Sequence, residues 1–342
     1  MIPLQSWRFE QLSTGARRYY PGLLLCATIA AAASFLSDHY GGPAMLFALL
    51  LGIAFNFVTE DGKAKDGVEF TSKFVLRLGV GLLGIRITLD EIAALGWQSP
   101  AVIAGLIALT VATGFLAAAV FGRRWRFAVI TGGAVAICGA SAALAIAAVI
   151  PHNDKTERNT LFTVVAVTTL STIAMVLYPV LFGLLGFDER ATGFLIGATI
   201  HDVAQVVGAG YAVSDTAGDT ATIIKLMRVA MLPVVLIVLV LTLRLASASR
   251  PDARVPLLPW FIMLFLALSL AASVLAPPQW LTGALETMSR AMLLTAIAAL
   301  GIKTSLKAML SLGGGHVGVV TFETLVLLVA AMAAFQIFLA IG

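Results

Sequence analysis

Thr131-Gly132-Gly133-Ala134-Val135-Ala136-Ile137-Cys138-Gly139-Ala140-Ser141-Ala142-Ala143 is a run of small, uncharged residues inside a longer apolar segment, 127–150. That segment is long enough to meet the ~20 apolar residues a helix needs to cross a bilayer. It is continuously apolar and lacks the period-two alternation of a membrane β-barrel strand. The same pattern recurs at 21–37, 43–58, 70–88, 100–121, 160–186, 191–213, 221–245, 259–276, 284–306 and 317–341, with short polar or Pro/Gly-containing connections between. The expected fold is all-α: a polytopic membrane protein of about eleven transmembrane helices. It forms one domain over 1–342, with a cytoplasmic segment at 1–20 and a transmembrane bundle at 21–341.

Composition agrees. Of 342 residues 60% are hydrophobic, and 12% are charged against ~25% in an ordinary soluble domain. A mean hydropathy of +0.99 excludes a soluble enzyme, a nucleic-acid binder and a disordered chain. The net charge of +4 reflects Lys and Arg gathered in short loops, where they orient the chain. Cys26 and Cys138 both lie in apolar stretches, so no disulfide framework is expected. His39, His152, His201 and His316 show no metal-ligand spacing. Neither a metal nor another cofactor is expected.

With a cytoplasmic N-terminus and eleven crossings, the basic residues divide 15 to 6 between the two sides, Arg77 being set aside as intramembrane. The expected placement is a multi-pass protein of a bacterial plasma membrane, N-terminus inside and C-terminus outside. Arg17 and Arg18 before an apolar run suggest a signal peptide. Glu10 in a long preceding segment instead favours an uncleaved first helix.

Two segments repeat each other. Leu83-Gly84-Ile85-Arg86-Ile87-Thr88-Leu89 matches Leu300-Gly301-Ile302-Lys303-Thr304-Ser305-Leu306, and at the same offset Lys73 pairs with Arg290 and Leu95-Gly96 with Leu312-Gly313. They fall on the third and tenth segments, which cross in opposite directions, as in inverted-repeat carriers. Chance similarity between two Gly/Leu-rich helices is the competing explanation.

Polar groups inside hydrocarbon are costly and point to function. The run 131–143 carries three glycines that weaken a helix. It can unwind and present a half-helix N-terminus to an anion, or it can simply pack helices closely. The second polar stretch is Gly197-Ala198-Thr199-Ile200-His201-Asp202-Val203-Ala204-Gln205-Val206-Val207-Gly208-Ala209-Gly210, with His201 and Gln205 on one helical face. Asp202 can titrate with His201 in a proton-linked cycle or bind a cation. Arg77, in segment three, and Arg228, read with Lys225 in the first turns of segment eight, are candidate counter-charges for an anion. Snorkelling of Arg228 and an Arg77–Asp202 pair are the structural alternatives. Asn56 is a weaker candidate, and Glu286, Arg290 and Glu323 read as interfacial.

Gly133-x-x-x-Ile137-Cys138-Gly139-Ala140-Ser141-Ala142 and Ile200-His201-Asp202-Val203-Ala204-Gln205-Val206-Val207 closely resemble the YeiH-type sulfate exporter family of bacterial inner-membrane proteins. Leu76-Arg77-Leu78-Gly79-Val80-x-Leu82-Leu83-Gly84-x-Arg86, Lys225-Leu226-x-Arg228 and Gly301-Ile302-Lys303-Thr304-Ser305 match as well, so the resemblance runs from Pro21 to about Phe338. In that family Glu commonly follows the His, whereas this chain has Asp202.

The resemblance implies a secondary transporter related to inverted-repeat anion carriers. The expected function is alternating-access export of a small anion, sulfate or another sulfur oxyanion or sulfonate, coupled to a proton or sodium gradient. Gly133, Cys138, Gly139, Ser141, His201, Gln205, Arg77 and Arg228 are the expected solute ligands, and Asp202 with His201 the coupling site. The expected partners are the anion, the coupling ion, the lipid bilayer and further copies of the chain; nucleic acid is not among them. A passive anion channel is one alternative. A membrane-embedded serine hydrolase is another, with Ser141 in Gly139-Ala140-Ser141-Ala142 and His201 as base; the expectation is that the chain is not an enzyme.

Overall fold

The computed structural model describes residues 4–59, 62–150, 154–246, 259–275, 277–304 and 314–339. His152, Arg250, Arg254, Ser305 and Lys307 lie outside the described residues. Within them the chain is helical and contains no strand. The elements are α1 (Leu4–Tyr40), α2 (Ala44–Ala54), α3 (Lys65–Phe70), α4 (Leu76–Leu82), α5 (Leu89–Ala93), α6 (Gln98–Val120), α7 (Trp125–Ala136) and α8 (Ala140–Val149). They continue with α9 (Asp154–Leu184), α10 (Glu189–Thr199), α11 (Val203–Val213), α12 (Asp215–Ala230), α13 (Leu232–Ala246), α14 (Trp260–Leu275), α15 (Gln279–Lys303) and α16 (Gly314–Ala334).

Six described helical stretches are long and apolar enough to cross a membrane: Arg18–Tyr40, Gln98–Val120, Thr156–Leu184, Asp215–Leu243, Gln279–Lys303 and Val317–Ile337. Their outer faces carry large apolar side chains, among them Leu116, Leu177, Val238, Met288 and Val329, while Thr, His, Gln, Lys, Arg and Glu side chains are buried between helices. Hydrocarbon outside and polar groups inside suit a lipid solvent.

The helices pack as two groups. The first contains α1–α5, α14 and α15, with α15 against α1, α2 and α4; the second contains α6–α13 and α16. Between the groups, α11 packs on α2 and α15. Within the first group, Lys303 Nζ reaches Ser72 Oγ at 3.3 Å, Ser289 Oγ reaches Gly79 O at 2.7 Å and Arg86 Nη1 reaches Glu286 Oε1 at 2.8 Å. Contacts pairing rising with falling residue numbers mean that the helices carrying the two similar segments run antiparallel.

The second group corrects the sequence reading. Segments 127–150 and 191–213 do not pass straight through; each folds back as a helical hairpin. A straight helix would separate residues 133 and 146 by about 20 Å. Instead, a Cβ built on Gly133 of α7 would run into Ile146 Cδ1 of α8. In the other hairpin, a Cβ on Gly193 would lie 2.6 Å from Ala217 O, one on Gly197 2.5 Å from Ala221 O, and one on Gly210 2.8 Å from Gly218 Cα. Thus α10 runs parallel to α12 and α11 returns antiparallel to it. Gly193 and Gly197 form a Gly-x-x-x-Gly face that lets α10 approach Ala217 and Ala221.

The two turns differ in how the backbone reverses. In the first, Gly139 adopts φ +59° and ψ −123°, a conformation open essentially to glycine. In the second, Ile200 and Asp202 are extended and Asp202 caps α11.

Candidate functional site

The hairpins enter from opposite ends of α9 and meet tip to tip beside its middle. A Cβ on Gly139 would stand 3.5 Å from His201 Cβ and 3.6 Å from Val167 Cγ2. The Asp202 N–H donates to Ser171 Oγ at 3.1 Å, and Gln205 Nε2 to Thr172 Oγ1 at 3.4 Å.

Ending α7 and α10 inside the bundle leaves backbone carbonyls without helical partners and concentrates negative partial charge there. Two cations one turn apart on α12 answer both ends. Lys225 Nζ donates to Ile137 O at 2.7 Å, Ile200 O at 2.9 Å and His201 O at 2.5 Å. Arg228 Nε and Nη2 reach Ala136 O at 3.0 and 2.8 Å, Nη2 reaches Val135 O at 2.8 Å, and Nη1 reaches Gly197 O and Ile200 O at 3.0 Å each. Both side chains are fully enclosed, at 0% and 1% exposure. Burying each charge costs several kcal/mol. Eight charge-assisted bonds, worth about 1.5–3 kcal/mol apiece, offset that cost.

The opposite polarity stays available. The tips also begin α8 and α11, whose first N–H groups carry positive partial charge. Gly139 brings no side chain to cap α8, and Asp202 caps α11 through a 3.4 Å contact with Ala204 N–H. The carbonyl ends are therefore neutralised by protein cations, while Asp202 and Val203, at the amide end of α11, are half-buried.

The expected site residues separate accordingly. Cys138, Gly139, His201, Asp202 and Gln205 gather at the tips. Gly133 lies earlier in α7 and serves hairpin packing. Ser141 is on the exposed face of α8 with Leu144 and Ala148. Arg77 is exposed, its guanidinium 6.0 Å from the centre of the Phe261 ring, and is not at the tips. Arg228 is at the tips, but all five of its N–H groups are taken by backbone carbonyls, so it has no donor left for a solute. It also stands with Lys225 deep in α12 and not in a first turn, because the helix begins at Asp215.

His201 Nε2 lies 3.0 Å from Thr324 Oγ1 of α16, whose hydroxyl already donates to Val320 O at 2.7 Å. The imidazole is therefore the donor at Nε2, and Nδ1 has no hydrogen-bond partner among the described residues. Gln205 Oε1 is likewise buried and unpartnered. Among the described residues no group of three His, Cys, Asp or Glu side chains is arranged to hold a metal ion.

A family described as "Conserved hypothetical protein 698" matches residues 21–320. A UPF0324 membrane protein of Rhizobium meliloti (strain 1021) is 49% identical, over 95% of this chain and 95% of its own. The chain belongs to the UPF0324 family of membrane proteins. "UPF0324 membrane protein TauZ" of Paracoccus denitrificans is 51% identical over 91% of this chain and 93% of its own. A UPF0324 membrane protein of Chlorobaculum tepidum is 49% identical over 93% and 89%. These matches fit the YeiH-type family to which the motifs point. No solved structure matches this UPF0324 chain.

Sequence reasoning missed the supporting side chains. Ser171 and Thr172 belong to Thr168-Thr169-Leu170-Ser171-Thr172, a hydroxyl-rich run at the middle of an otherwise apolar helix that was a readable signal. Thr324 carried no such mark. Glu323, read as interfacial, is completely buried midway along α16.

Proposed function

We propose that this UPF0324 protein is an ion-coupled secondary carrier of a small anion, with sulfate, another sulfur oxyanion or a sulfonate as the substrate class, working by alternating access. The observation that carries this reading is the polarity of the hairpin tips: Lys225 and Arg228 occupy the carbonyl ends, and the amide ends of α8 and α11 are left to meet an anion. Asp202, half-buried beside those amides, is the place for a proton or sodium ion; an ionised carboxylate there repels the anion, and a bound cation removes the repulsion. Export is the direction implied by the family resemblance.

In the membrane, this reading gives nine crossings and two re-entrant hairpins with the N-terminus inside and the C-terminus outside. Lys155 and Arg158 then join the cytoplasmic set, Arg190 leaves it, and Lys225 and Arg228 become intramembrane. The basic residues divide 16 to 3, a sharper inside bias than eleven crossings give. The hydrolase alternative gains nothing from the geometry, because Ser141 faces outward on α8 and His201 Nε2 is engaged by Thr324.

The test is flux of labelled sulfate, sulfite and small sulfonates into proteoliposomes, with and without imposed proton or sodium gradients. Saturable, gradient-driven uptake is expected, and Asp202→Asn should retain folded protein while losing the response to the gradient. Non-saturating flux would assign a channel, and unchanged coupling in Asp202→Asn would remove Asp202 from the ion step.

A further inference from the structure

Glu323 is the one acidic residue between Gly314 and Ala334, and its side chain is fully buried among α6, α7 and α16. Gly114 of α6 leaves the space it fills: a Cβ there would come within 2.9 Å of Glu323 Oε1. That oxygen lies 2.8 Å from Thr131 Oγ1 of the first hairpin, and Oε2 has no partner among the described residues. The next residue on α16, Thr324, holds His201 at the tip of the second hairpin. Glu323 and Thr324 thus connect one helix to both hairpins at once.

The hydrogen count bears on the state of the carboxyl. Thr131 has a single hydroxyl hydrogen, and its oxygen also lies 3.1 Å from Phe127 O. Buried threonines elsewhere in the molecule donate to the carbonyl four residues back, as Thr110, Thr199 and Thr222 do. If Thr131 follows them, its oxygen must accept from Glu323, which requires a protonated acid. If it donates to Glu323 instead, an ionised carboxylate keeps one hydrogen bond and a bare second oxygen in a dry interior, the more costly arrangement.

Among the described residues no cation is placed to change this. The elements packed on α16 offer no titratable side chain in α6, Arg126 in α7, and Glu189 and Arg190 at the start of α10, with His201 beyond its end. In α9 they are Asp154, Lys155, Glu157 and Arg158 at its start, and Tyr178 further along. No ion pair among the described residues includes Glu323. Arg126 and Arg158 stack on Trp125 and Phe162, and His201 faces Thr324.

We propose that Glu323 is a second ion-coupling site, distinct from Asp202, which holds a proton as a neutral carboxylic acid in this conformation and releases it when the first hairpin shifts against α16. The coupling role rests on the carrier reading above; the presence of the proton does not. Infrared spectroscopy of the protein in lipid bilayers reads the carboxyl directly. The wild type should show the carbonyl stretch of a protonated acid that shifts on deuteration, persists in Asp202→Asn and disappears in Glu323→Gln. In Thr131→Val the same band should move to higher frequency as its hydrogen bond is lost, which keeps the test open if Glu323→Gln does not fold. Superimposable spectra of wild type and Glu323→Gln, or a Thr131→Val band that stays in place, would overturn the assignment; a carboxylate with bound sodium would produce the first result. In sulfate flux, Glu323→Gln should lose the response to a pH gradient, and a retained response would overturn the coupling role. A wild type that carries no anion would sink the carrier reading instead, and the infrared measurement would still decide whether Glu323 holds a proton.

Discussion

Lys225 shows how far a single residue's role depends on where its helix begins. The apolar run at 221–245 puts it near a membrane surface, where a lysine is unremarkable. The helix actually starts after Ser214, whose hydroxyl accepts from Ala217 N–H, with Asp215 in the first turn; both are start signals that were present in the sequence. Moving the start back places Lys225 and Arg228 against the hairpin tips. Lys225→Met leaves two buried carbonyls, Ile137 O and His201 O, unpaired, since Arg228 still holds Ile200 O; each is worth about 1–3 kcal/mol when orphaned, so a marked fall in melting temperature of the purified protein is expected. Arg228→Lys keeps the charge but lacks the fork that reaches four carbonyls, and should also lower it. Arg77→Gln, on the exposed surface, should leave both melting and anion affinity close to wild type. Equal melting of Lys225→Met and Arg77→Gln would contradict the role given to the tip cations.

At the scale of elements, the interruptions were legible and the reversals were not. Three glycines in 131–143 and a His-Asp pair in 197–210 mark places where a membrane helix is weakened, and the structure breaks at 137–139 and 200–202. Composition is silent on the path the chain takes beyond each break, because a 24-residue apolar segment has the same hydropathy whether it crosses once or goes in and comes back. The decision comes from α9, which packs on both hairpins, from α12, which packs on both arms of the second, and from glycines that let the return helices lie close. The first turn makes the sharper prediction. Gly139→Ala forces a side chain into φ +59°, ψ −123° and should cost about 1–3 kcal/mol. Gly105→Ala in α6, where the added methyl meets open space, should be neutral or mildly stabilising. Thermal melting of the two variants compares them directly, and a Gly139→Ala protein as stable as Gly105→Ala would argue against the positive-φ turn.

At the scale of the molecule, replacing two crossings by two hairpins keeps both termini where eleven crossings put them but exchanges the sides of the connections around α9. Single cysteines at Arg123, Arg158 and Arg190, all exposed, test this in a background without Cys26 and Cys138. A membrane-impermeant thiol reagent should reach positions 123 and 158 from the same side and position 190 from the other. Labelling of 123 together with 190, and of 158 from the opposite face, would restore straight crossings. Membrane class, helical content and family were all readable from composition and motif, since lipid imposes them on every segment. The fold's two-group division was not, because it lies in which glycine meets which helix.

Arg86 draws these scales together. It sits between Asp215, Asp219 and Glu286 at 3.2, 3.0 and 2.8 Å, and Arg290 bridges Asp215 and Glu286 from the other side at 2.8 and 3.0 Å. The knot fastens the start of α12, just past the base of the second hairpin, to α15 and to the turn that follows α4, whereas the tips are riveted to α12 by Lys225 and Arg228. Any sliding of one helix group past the other must therefore carry the tips and α12 as a single piece and untie the knot first, so the speed of such a stroke should rise with salt, which weakens the half-exposed knot while leaving the dry rivets untouched.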